Sequence, residues 1–288
     1  LIEPVIRPPS EANSFLLQVT MGCSQNSCTF CGAYLNKPFA LKPQAEIFKD
    51  IHDQAKYAPD TSRVFLCDGD ALVLGNDKLV PILKELNRSF PKLTRIASYA
   101  NARNILNKTP DELKELAALK LKLLYLGLES GSDQILARVR KANSAAEAVQ
   151  AVQKAAQAGL KSHVIVLLGL GGDKAISAEH ALLSAKAVSE MDPRYVSLLS
   201  VMLVPGTELY AKALRGEFVE LNAQELLTET KLFLENVKVS NSLFFCNHAS
   251  NYLPLDGRLP HDQTKLISII DSALRNKLPL KPDMLRAL

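Results

Sequence analysis

The 288-residue sequence has no apolar run of the ~20 residues that a membrane-spanning helix needs. Its first residues, "LIEPVIRPPSEAN", lack the charged-then-apolar pattern of a secretory signal peptide. Its five cysteines are few for a chain of this length, whereas disulfide frameworks are typical of small secreted domains. We therefore expect a protein without a membrane span in the reducing, cytoplasmic compartment.

A strong excess of one charge is also missing. The net charge is +4, and basic and acidic residues are interspersed along the chain. Nucleic-acid-binding proteins usually carry a clustered basic face, so we expect no nucleic-acid partner. The hydrophobic content of 47% and the charged content of 22% are typical of a globular protein with a full core.

Short β-branched or leucine-rich runs alternate along the chain with amphipathic stretches. The predicted strands are 14–20, 62–68, 93–99, 121–128, 162–169 and 194–204. The predicted helices between them are 43–58, 76–90, 110–119, 144–159 and 177–191. The strands are apolar along nearly their whole length, which is typical of parallel strands covered on both faces. The alternation indicates an α/β fold, either a parallel barrel, complete or partial, or a doubly wound sheet.

Local motifs support the helix boundaries. Thr109 with Glu112, and Ser144 with Glu147, fit capping boxes, and Gly159 fits a helix stop. After about residue 216 the alternation lapses. We therefore expect a lead-in over 1–13, the main α/β domain over 14–215, and an α-rich extension over 216–288 that packs on the barrel or closes it.

Three of the five cysteines form a C-x4-C-x2-C run, Cys23, Cys28 and Cys31, directly after the first strand. Chemistry in parallel α/β folds is found at the carboxyl ends of the strands, and a loop there can wrap three thiolates around one centre. Four sulfur ligands close an iron–sulfur or structural zinc site, whereas three leave one metal position open for catalysis. The alternative is a zinc site with a fourth ligand from elsewhere, such as Cys67 or a histidine.

This run, with an aromatic residue before its last cysteine (Phe30-Cys31), resembles the radical S-adenosylmethionine (SAM) enzymes. The usual family spacing is C-x3-C-x2-C, so one additional residue stands between Cys23 and Cys28. The resemblance implies a partial parallel (β/α)6 barrel. In this barrel Cys23, Cys28 and Cys31 hold a [4Fe–4S] cluster. SAM would chelate the fourth iron and yield methionine and a 5′-deoxyadenosyl radical. It also implies that Phe30 lies near the adenine.

The end of the second strand, "FLCDGDALVL", is similar to the family segment that binds the methionyl ammonium of SAM. Gly69 occupies the small position of that segment and Asp70 the acidic position, with a side chain one methylene shorter. The alternative is that Asp68 and Asp70 only cap a turn, since Asp and Gly are favoured in turns.

The end of the fourth strand, "YLGLESGSDQILARVRKANS", resembles the family's Gly-x-Glu-Ser-Gly stretch. The resemblance implies that Glu129 and Ser130 face the ribose and amino-acid part of SAM. It assigns Lys141 to the methionyl carboxylate, with Arg140 as the neighbouring choice. The alternative is a solvated basic helix end, where Lys and Arg are common.

Two later segments extend the resemblance over about residues 14–210. "HVIVLLGLGGD" resembles the fifth-strand glycine segment, which implies that Gly169 and Gly171 approach the adenine; it lacks the spacing of a dinucleotide-binding loop. "VMLVPGTELY" (201–210) resembles a segment of the subgroup that includes the anaerobic porphyrin-ring cyclases.

The resemblance implies hydrogen abstraction from a small-molecule, lipid or tetrapyrrole-like substrate, with a reductant such as flavodoxin or ferredoxin. We expect no cobalamin domain and no auxiliary cluster. The catalytic residue is unknown, with Cys67, Tyr99, His248 and Tyr252 as candidates. His248 and Tyr252, with Asn251, could instead satisfy each other's hydrogen bonds inside the extension, and Cys67 could be a small hydrophobe. The alternative function is that of a non-catalytic zinc-binding or electron-transfer protein.

Overall fold

The structure, a computed structural model that describes residues 1–287, contains all six predicted parallel strands. Its strands are β1 (Phe15–Gln18), β2 (Thr20–Met21), β3 (Ala40–Leu41), β4 (Arg63–Cys67), β5 (Arg95–Tyr99), β6 (Leu121–Glu129), β7 (Lys161–Leu168), β8 (Tyr195–Ser200), β9 (Ser242–Phe245) and β10 (Asp256–Leu259). Its α-helices are α1 (Gln44–Tyr57), α2 (Asn76–Ser89), α3 (Ala102–Leu106), α4 (Pro110–Ala118), α5 (Asp133–Arg138), α6 (Ala145–Gln157), α7 (Lys174–Met191), α8 (Glu208–Leu214), α9 (Ala223–Asn236) and α10 (Gln263–Leu274).

These elements belong to two compact units. The first unit comprises Leu1–Asn26, Ala33–Leu126 and Ala151–Ser162. The second unit comprises Ser27–Gly32, Gly127–Gln150 and the described residues from His163 onward. Each unit has its own parallel strands and covering helices, so the predicted α/β class is confirmed. The predicted division at residues 13 and 215 stays a prediction.

In the first unit β1, β4, β5 and β6 lie side by side and run parallel. One row of paired residues crosses all four strands: Leu17, Leu66, Ser98 and Leu124. All four are fully buried, as the continuous apolar strands predicted. On α2, Leu79, Leu83 and Leu86 recur at helical spacing and are also buried.

The predicted capping boxes and the helix-ending glycine are present in the structure. Thr109 Oγ1 accepts from the Glu112 amide, and the Glu112 carboxylate accepts from the Thr109 amide, which completes the capping box of α4. Ser144 and Glu147 make the same reciprocal pair at the start of α6. Gly159 ends α6 in the left-handed region at φ +82°. Helix α7 starts earlier than predicted because Asp173 caps it by accepting from the Ala175 amide.

In the second unit β7, β8 and β9 are parallel and β10 returns antiparallel. The buried row Val164, Val196 and Phe244 continues onto Gly257 of β10, where α10 packs closely. The extension was predicted to be α-rich. It contains the helices α9 and α10, and it also contributes the strands β9 and β10 to the sheet. The short apolar run "SLFFC" is the first of these, since its four-residue strand continues the parallel sheet.

Two predicted strands end at least two residues early in the structure. The first, predicted over 14–20, ends at Gln18, and the next residues form β2, which pairs antiparallel with β3. The sixth, predicted to residue 204, ends at Ser200, before the Pro205-Gly206 turn. In residues 1–287 no α-helix combines the length and the apolarity that a bilayer crossing requires.

Candidate functional site

The three clustered cysteines lie on one loop, residues 22–39, which we call the cysteine loop. The antiparallel pair β2–β3 closes it: Thr20 pairs with Leu41, and Met21 with Ala40. The Cys23, Cys28 and Cys31 side chains are partly exposed. The loop therefore offers three accessible thiols directly after β1, as the sequence predicted.

The other two cysteines are chemically different. Cys67 on β4 and Cys246 after β9 are fully buried or nearly so. Burial is the main cause that raises the pKa of each thiol to about 12. The core encloses both of these thiols, whereas the three thiols of the cysteine loop are open to an incoming metal. The donor set thus favours the clustered cysteines over Cys67 as metal ligands, and it makes Cys67 a small hydrophobe.

Asp68, at the end of β4, binds both ends of the cysteine loop. Its Oδ2 accepts from the Gly22 amide at 2.8 Å and forms an ion pair with Lys37 Nζ at 2.7 Å. Gln18 Nε2 donates to the same carboxylate at 3.2 Å. Asp68 is fully buried and has a φ of +67°, an unusual backbone conformation for a residue with a side chain. The sequence motif indicates only a turn-capping role for Asp68, and no motif points to Lys37.

Gly69 lies against the first clustered cysteine. The Gly69 amide donates to the Gly22 carbonyl at 3.0 Å, which brings the two backbones together. A Cβ at Gly69 would lie 2.5 Å from the Cys23 Cβ and 2.7 Å from its Sγ. The Cys23 sulfur also accepts from the Gln25 amide at 3.4 Å. Glycine is therefore required at position 69 for the observed position of Cys23.

Asp70 is buried at the predicted acidic position, with most of its hydrogen-bonding capacity already used. Its Oδ1 accepts from the Leu72 amide at 2.8 Å, and its Oδ2 accepts from the Asn101 amide at 3.1 Å and from Asn104 Nδ2 at 2.6 Å. Burial raises the pKa of Asp70 to about 6, and these three bonds lower it in part. A carboxylate has about four lone-pair sites, so one acceptor position remains on Oδ1.

The middle of the cysteine loop is anchored within the second unit. The Thr29 amide donates to the Val139 carbonyl at 3.0 Å, and the Thr29 carbonyl accepts from the Leu209 amide at 2.8 Å. Phe30 packs against a buried apolar cluster that includes Ile135 and Val139. Gly32 leaves no room for a side chain, because a Cβ there would lie 2.6 Å from Val204. This anchoring fixes the backbone on either side of Cys28 and Cys31.

The structure brings two predicted SAM-binding side chains together at the end of β6. Lys141 Nζ lies 3.0 Å from Glu129 Oε1, and both side chains are largely buried. Gly127 packs beneath them, where a Cβ would meet the Glu129 carboxylate at 2.0 Å. Arg140 turns elsewhere: its guanidinium forms an exposed ion pair with Glu208 at 2.7 Å. Of the two basic residues considered, Lys141 is the one beside Glu129.

Ser130 is buried and faces a histidine that the sequence reasoning missed. Its Oγ lies 2.8 Å from His180 Nδ1 and accepts from the Ser132 amide at 3.0 Å. His180 Nε2 donates to the Leu167 carbonyl at 3.2 Å, because a carbonyl only accepts. Burial lowers the pKa of His180 to about 4. His180 is therefore neutral, and its Nδ1 accepts the Ser130 proton.

A second missed residue, Glu229 of α9, lies at the end of β7. Its Oε1 accepts from the Gly169 amide at 2.8 Å, and its Oε2 accepts from Ser177 Oγ. Gly169 has a φ of +76°, which favours glycine. Gly171 has ordinary φ, and a Cβ there would meet Ile176 at 3.3 Å. No sequence motif pointed to Glu229, since it lies in the extension, some sixty residues after the glycine segment.

The remaining candidate residues are held by internal contacts. Tyr99 packs edge-on against Phe65, with ring centroids 5.2 Å apart, and burial raises its pKa. Tyr252 donates to Asp283 at 2.8 Å and stacks under the Arg286 guanidinium at 4.2 Å. His248 is half-buried and accepts at Nδ1 from the Ser250 amide at 3.1 Å, which leaves the ring hydrogen on Nε2.

The ligand chemistry and the fold together define an α/β protein with a three-thiol loop after its first parallel strand. A family model described as the Radical SAM superfamily matches residues 17–183, more than half of the chain. The chain belongs to this superfamily, and it is an enzyme that uses a [4Fe–4S] cluster and SAM. The resemblance stated from the sequence is confirmed.

Individual relatives are distant. The heme chaperone HemW of Bacillus subtilis strain 168 is 21% identical over 159 residues, which cover 55% of this chain and 41% of that protein. The solved structure of coproporphyrinogen III oxidase HemN from Escherichia coli has a TM-score of 0.57 at 17% identity, over 77% of this chain and 52% of that one. Methylornithine synthase PylB has a TM-score of 0.54 at 19% identity, over 78% of this chain and 63% of that one. These structures share the fold, and the chain spans less than two thirds of each relative.

The residues present fit the cluster by their chemistry. The cysteine loop supplies three accessible thiols, and the other two thiols are buried in the core. Within residues 1–287, no three His, Cys, Asp or Glu side chains converge as ligands of a single metal ion. A four-iron cluster takes one thiolate per iron, so its ligands need not converge in this way.

Proposed function

We propose that this enzyme cleaves SAM reductively and abstracts a hydrogen atom from a small-molecule, lipid or tetrapyrrole-like substrate. When bound, the cluster and SAM supply one-electron cleavage of the sulfonium bond, which gives methionine and a 5′-deoxyadenosyl radical. The observation that carries this proposal is the cysteine loop: three accessible thiols whose backbone is fixed at both ends by Asp68.

The proposed cluster ligands are Cys23, Cys28 and Cys31. Two features of the chain support this assignment besides the spacing. The Gln25 amide donates to the Cys23 sulfur, and such a bond favours a thiolate over a thiol. The close approach of Gly69 keeps that cysteine at one position on the loop.

The proposed SAM-binding residues come from four segments. Asp70 keeps one acceptor position for the methionyl ammonium, and Glu129 with Lys141 offers an acceptor and a donor for the polar groups of SAM. We assign Phe30, Gly69, Gly169 and Gly171 to the adenine and backbone contacts. Ser130 and Arg140 are held by His180 and Glu208, so we propose supporting roles for them.

His248 is the proposed substrate-facing residue. The Ser250 amide fixes its tautomer, so the Nε2 hydrogen is available to a carbonyl or carboxylate of the substrate. Burial and the Lys281 ammonium lower its pKa, so at neutral pH it acts as a neutral donor. Cys67, Tyr99 and Tyr252 remain secondary candidates because their side chains are buried or paired.

The substrate class is inferred from likeness alone. HemW is a heme chaperone and HemN a coproporphyrinogen oxidase, so a tetrapyrrole-like substrate is the first to test. The electron donor we propose is a flavodoxin or ferredoxin. We also propose that the enzyme works in the cytoplasm, because a reducing compartment keeps the cluster ligands as thiols.

The test is anaerobic reconstitution with iron and sulfide, followed by SAM and dithionite. We expect a brown protein that releases 5′-deoxyadenosine, and a Cys28→Ala variant that releases none. An intact cluster without 5′-deoxyadenosine would overturn the proposed reaction. A colourless protein that retains zinc would instead support the non-catalytic alternative.

A further inference from the structure

A buried polar network in the second unit links two of the proposed SAM-binding segments. It begins at Ser130, whose hydroxyl donates to His180 Nδ1 at 2.8 Å. The neighbouring amide of Gly131 donates to Ser184 Oγ at 2.9 Å. Helix α7, which carries His180 and Ser184, therefore holds the backbone directly after Glu129.

The network continues to the end of β7. His180 Nε2 donates to the Leu167 carbonyl at 3.2 Å and lies 3.5 Å from Glu229 Oε1. The same oxygen accepts from the Gly169 amide at 2.8 Å. Ser130, His180 and Glu229 are each at most 1% exposed, so water does not replace these partners.

The Glu229 carboxylate is the hydrogen-bond acceptor of the Gly169 backbone amide. The Gly169 amide is held by a carboxylate from α9 and not by a neighbouring strand, because the chain turns there into the left-handed region. Ser177 donates to the other oxygen and fixes the rotamer of the Glu229 side chain. Without an acceptor from α9, a buried amide would remain unpaired at the point where the glycine segment begins.

We propose that Glu229 and His180 are positioning residues for SAM: they hold the Glu129–Ser130 and Gly169 segments in one arrangement. This inference rests on the proposed function, and it assigns the C-terminal extension a role in cofactor binding. Neither residue touches SAM. Glu229 acts through the Gly169 amide, and His180 acts through Ser130 and Leu167.

The test is a set of α9 variants on the reconstituted full chain. Glu229→Ala removes the acceptor, whereas Glu229→Gln keeps an oxygen for the Gly169 amide. Thr230→Val is the matched control, because Thr230 is also buried but bonds only to Leu226 of its own helix. Two readouts are the iron content and the electron paramagnetic resonance spectrum of the reduced cluster. SAM is then titrated into each variant, and the third readout is the SAM concentration at which the change in that spectrum is half complete.

We expect all variants to carry the same iron and the same spectrum before SAM is added. The half-saturating SAM concentration should rise about tenfold or more in Glu229→Ala, as expected for one unpaired buried amide, and return close to wild type in Glu229→Gln. Thr230→Val should match wild type. Wild-type SAM affinity in Glu229→Ala would overturn the inference.

Should Glu229→Ala fail to fold, His180→Phe carries the test, because it keeps a planar ring at this position and removes both hydrogen bonds of the imidazole. Wild-type affinity in His180→Phe would overturn the inference, and weakened affinity would support it. A wild-type protein with an intact cluster and no spectral response to SAM would instead overturn the proposed function.

Discussion

Lys37 Nζ lies 2.7 Å from Asp68 Oδ2, and both side chains are buried. The same ammonium donates to the carbonyls of Ile2 and Pro4, at 2.6 and 2.8 Å. One side chain of the cysteine loop thus binds the end of β4 and the N-terminal segment together. Because Asp68 also accepts from the Gly22 amide, this ion pair sets the distance between the two ends of the loop.

Breaking this pair should destabilise the fold and reduce the amount of cluster that the protein binds. In Asp68→Asn the buried ammonium loses its counter-charge, and removal of one partner of a buried pair costs about 3–5 kcal/mol. We expect a loss of this size in the free energy of unfolding, measured with urea on the iron-free protein. Iron bound after reconstitution should fall well below three quarters of the wild-type amount.

The control for this prediction is Asp60→Asn. Asp60 and Lys92 form an ion pair at 2.8 Å with both side chains mostly exposed. Exposed pairs contribute about 0–1 kcal/mol, so this variant should unfold close to wild type and bind full iron. An equal loss in both variants would show that the buried pair has no special role.

The sequence predicted the fold well because its signals are local. Apolar runs identify strands that are buried on both faces, and Thr109-x-x-Glu112 satisfies its own backbone amides without help from the rest of the chain. The strand β9 has no such signal. Four residues of "SLFF" are too short for periodicity to separate strand from helix, and only the pairing of Phe244 with Val196 makes the assignment.

In the candidate site, too, residues in local motifs could be predicted from the sequence, whereas residues that act through distant partners could not. The cysteines, Gly69 and Asp70 were recognisable because they lie in short motifs after strands. Lys37, His180 and Glu229 were not, since each acts through a partner far away in the chain: Lys37 binds Asp68, and Glu229 binds Gly169. A buried charge in a helix, such as Glu229 among leucines on α9, is the one signal that sequence reasoning could have used.

Gly69→Ala should displace Cys23. The added Cβ would lie 2.5–2.7 Å from three Cys23 atoms, two of which belong to its backbone and Cβ, so the loop itself must move. We expect less than half of the wild-type iron after reconstitution, measured with the iron-to-protein ratio. In the control Gly75→Ala the added Cβ meets only the Asp77 carboxylate, which can rotate away, so iron binding should be unchanged. Full iron in Gly69→Ala would contradict the packing argument.

The two classes of cysteine should separate by substitution. Cys28→Ala and Cys31→Ala each remove one accessible thiol, and each should abolish the visible absorbance of the cluster and the release of 5′-deoxyadenosine. Cys246→Ala removes a buried thiol that accepts from Asn251 Nδ2 at 3.3 Å. This variant should lose some stability, retain the full absorbance and remain active. A loss of the cluster in Cys246→Ala would show that the donor set is wrong.

Glu229 predicts a specific pH dependence of stability. Burial raises its pKa from 4.5 to about 7 in the folded chain, so between these values the folded state holds one proton more than the unfolded state. Unfolding then releases a proton, and a rise in pH favours unfolding. This contribution to stability is complete below pH 4.5, is lost as the pH rises through 7, and amounts to roughly 3 kcal/mol at most.

Glu229→Gln removes this titration and keeps the shape of the side chain. The amide group that replaces the carboxyl needs one acceptor for its N–H, and Ser177 Oγ can turn to supply it. The unfolding free energy of this variant minus that of wild type should therefore be flat below pH 4.5, rise up to about pH 7, and be flat above. Urea unfolding at half-unit pH steps measures this difference. Thr230→Val should parallel wild type throughout, and a Glu229→Gln curve that does so as well would mean that folding does not shift the pKa of Glu229.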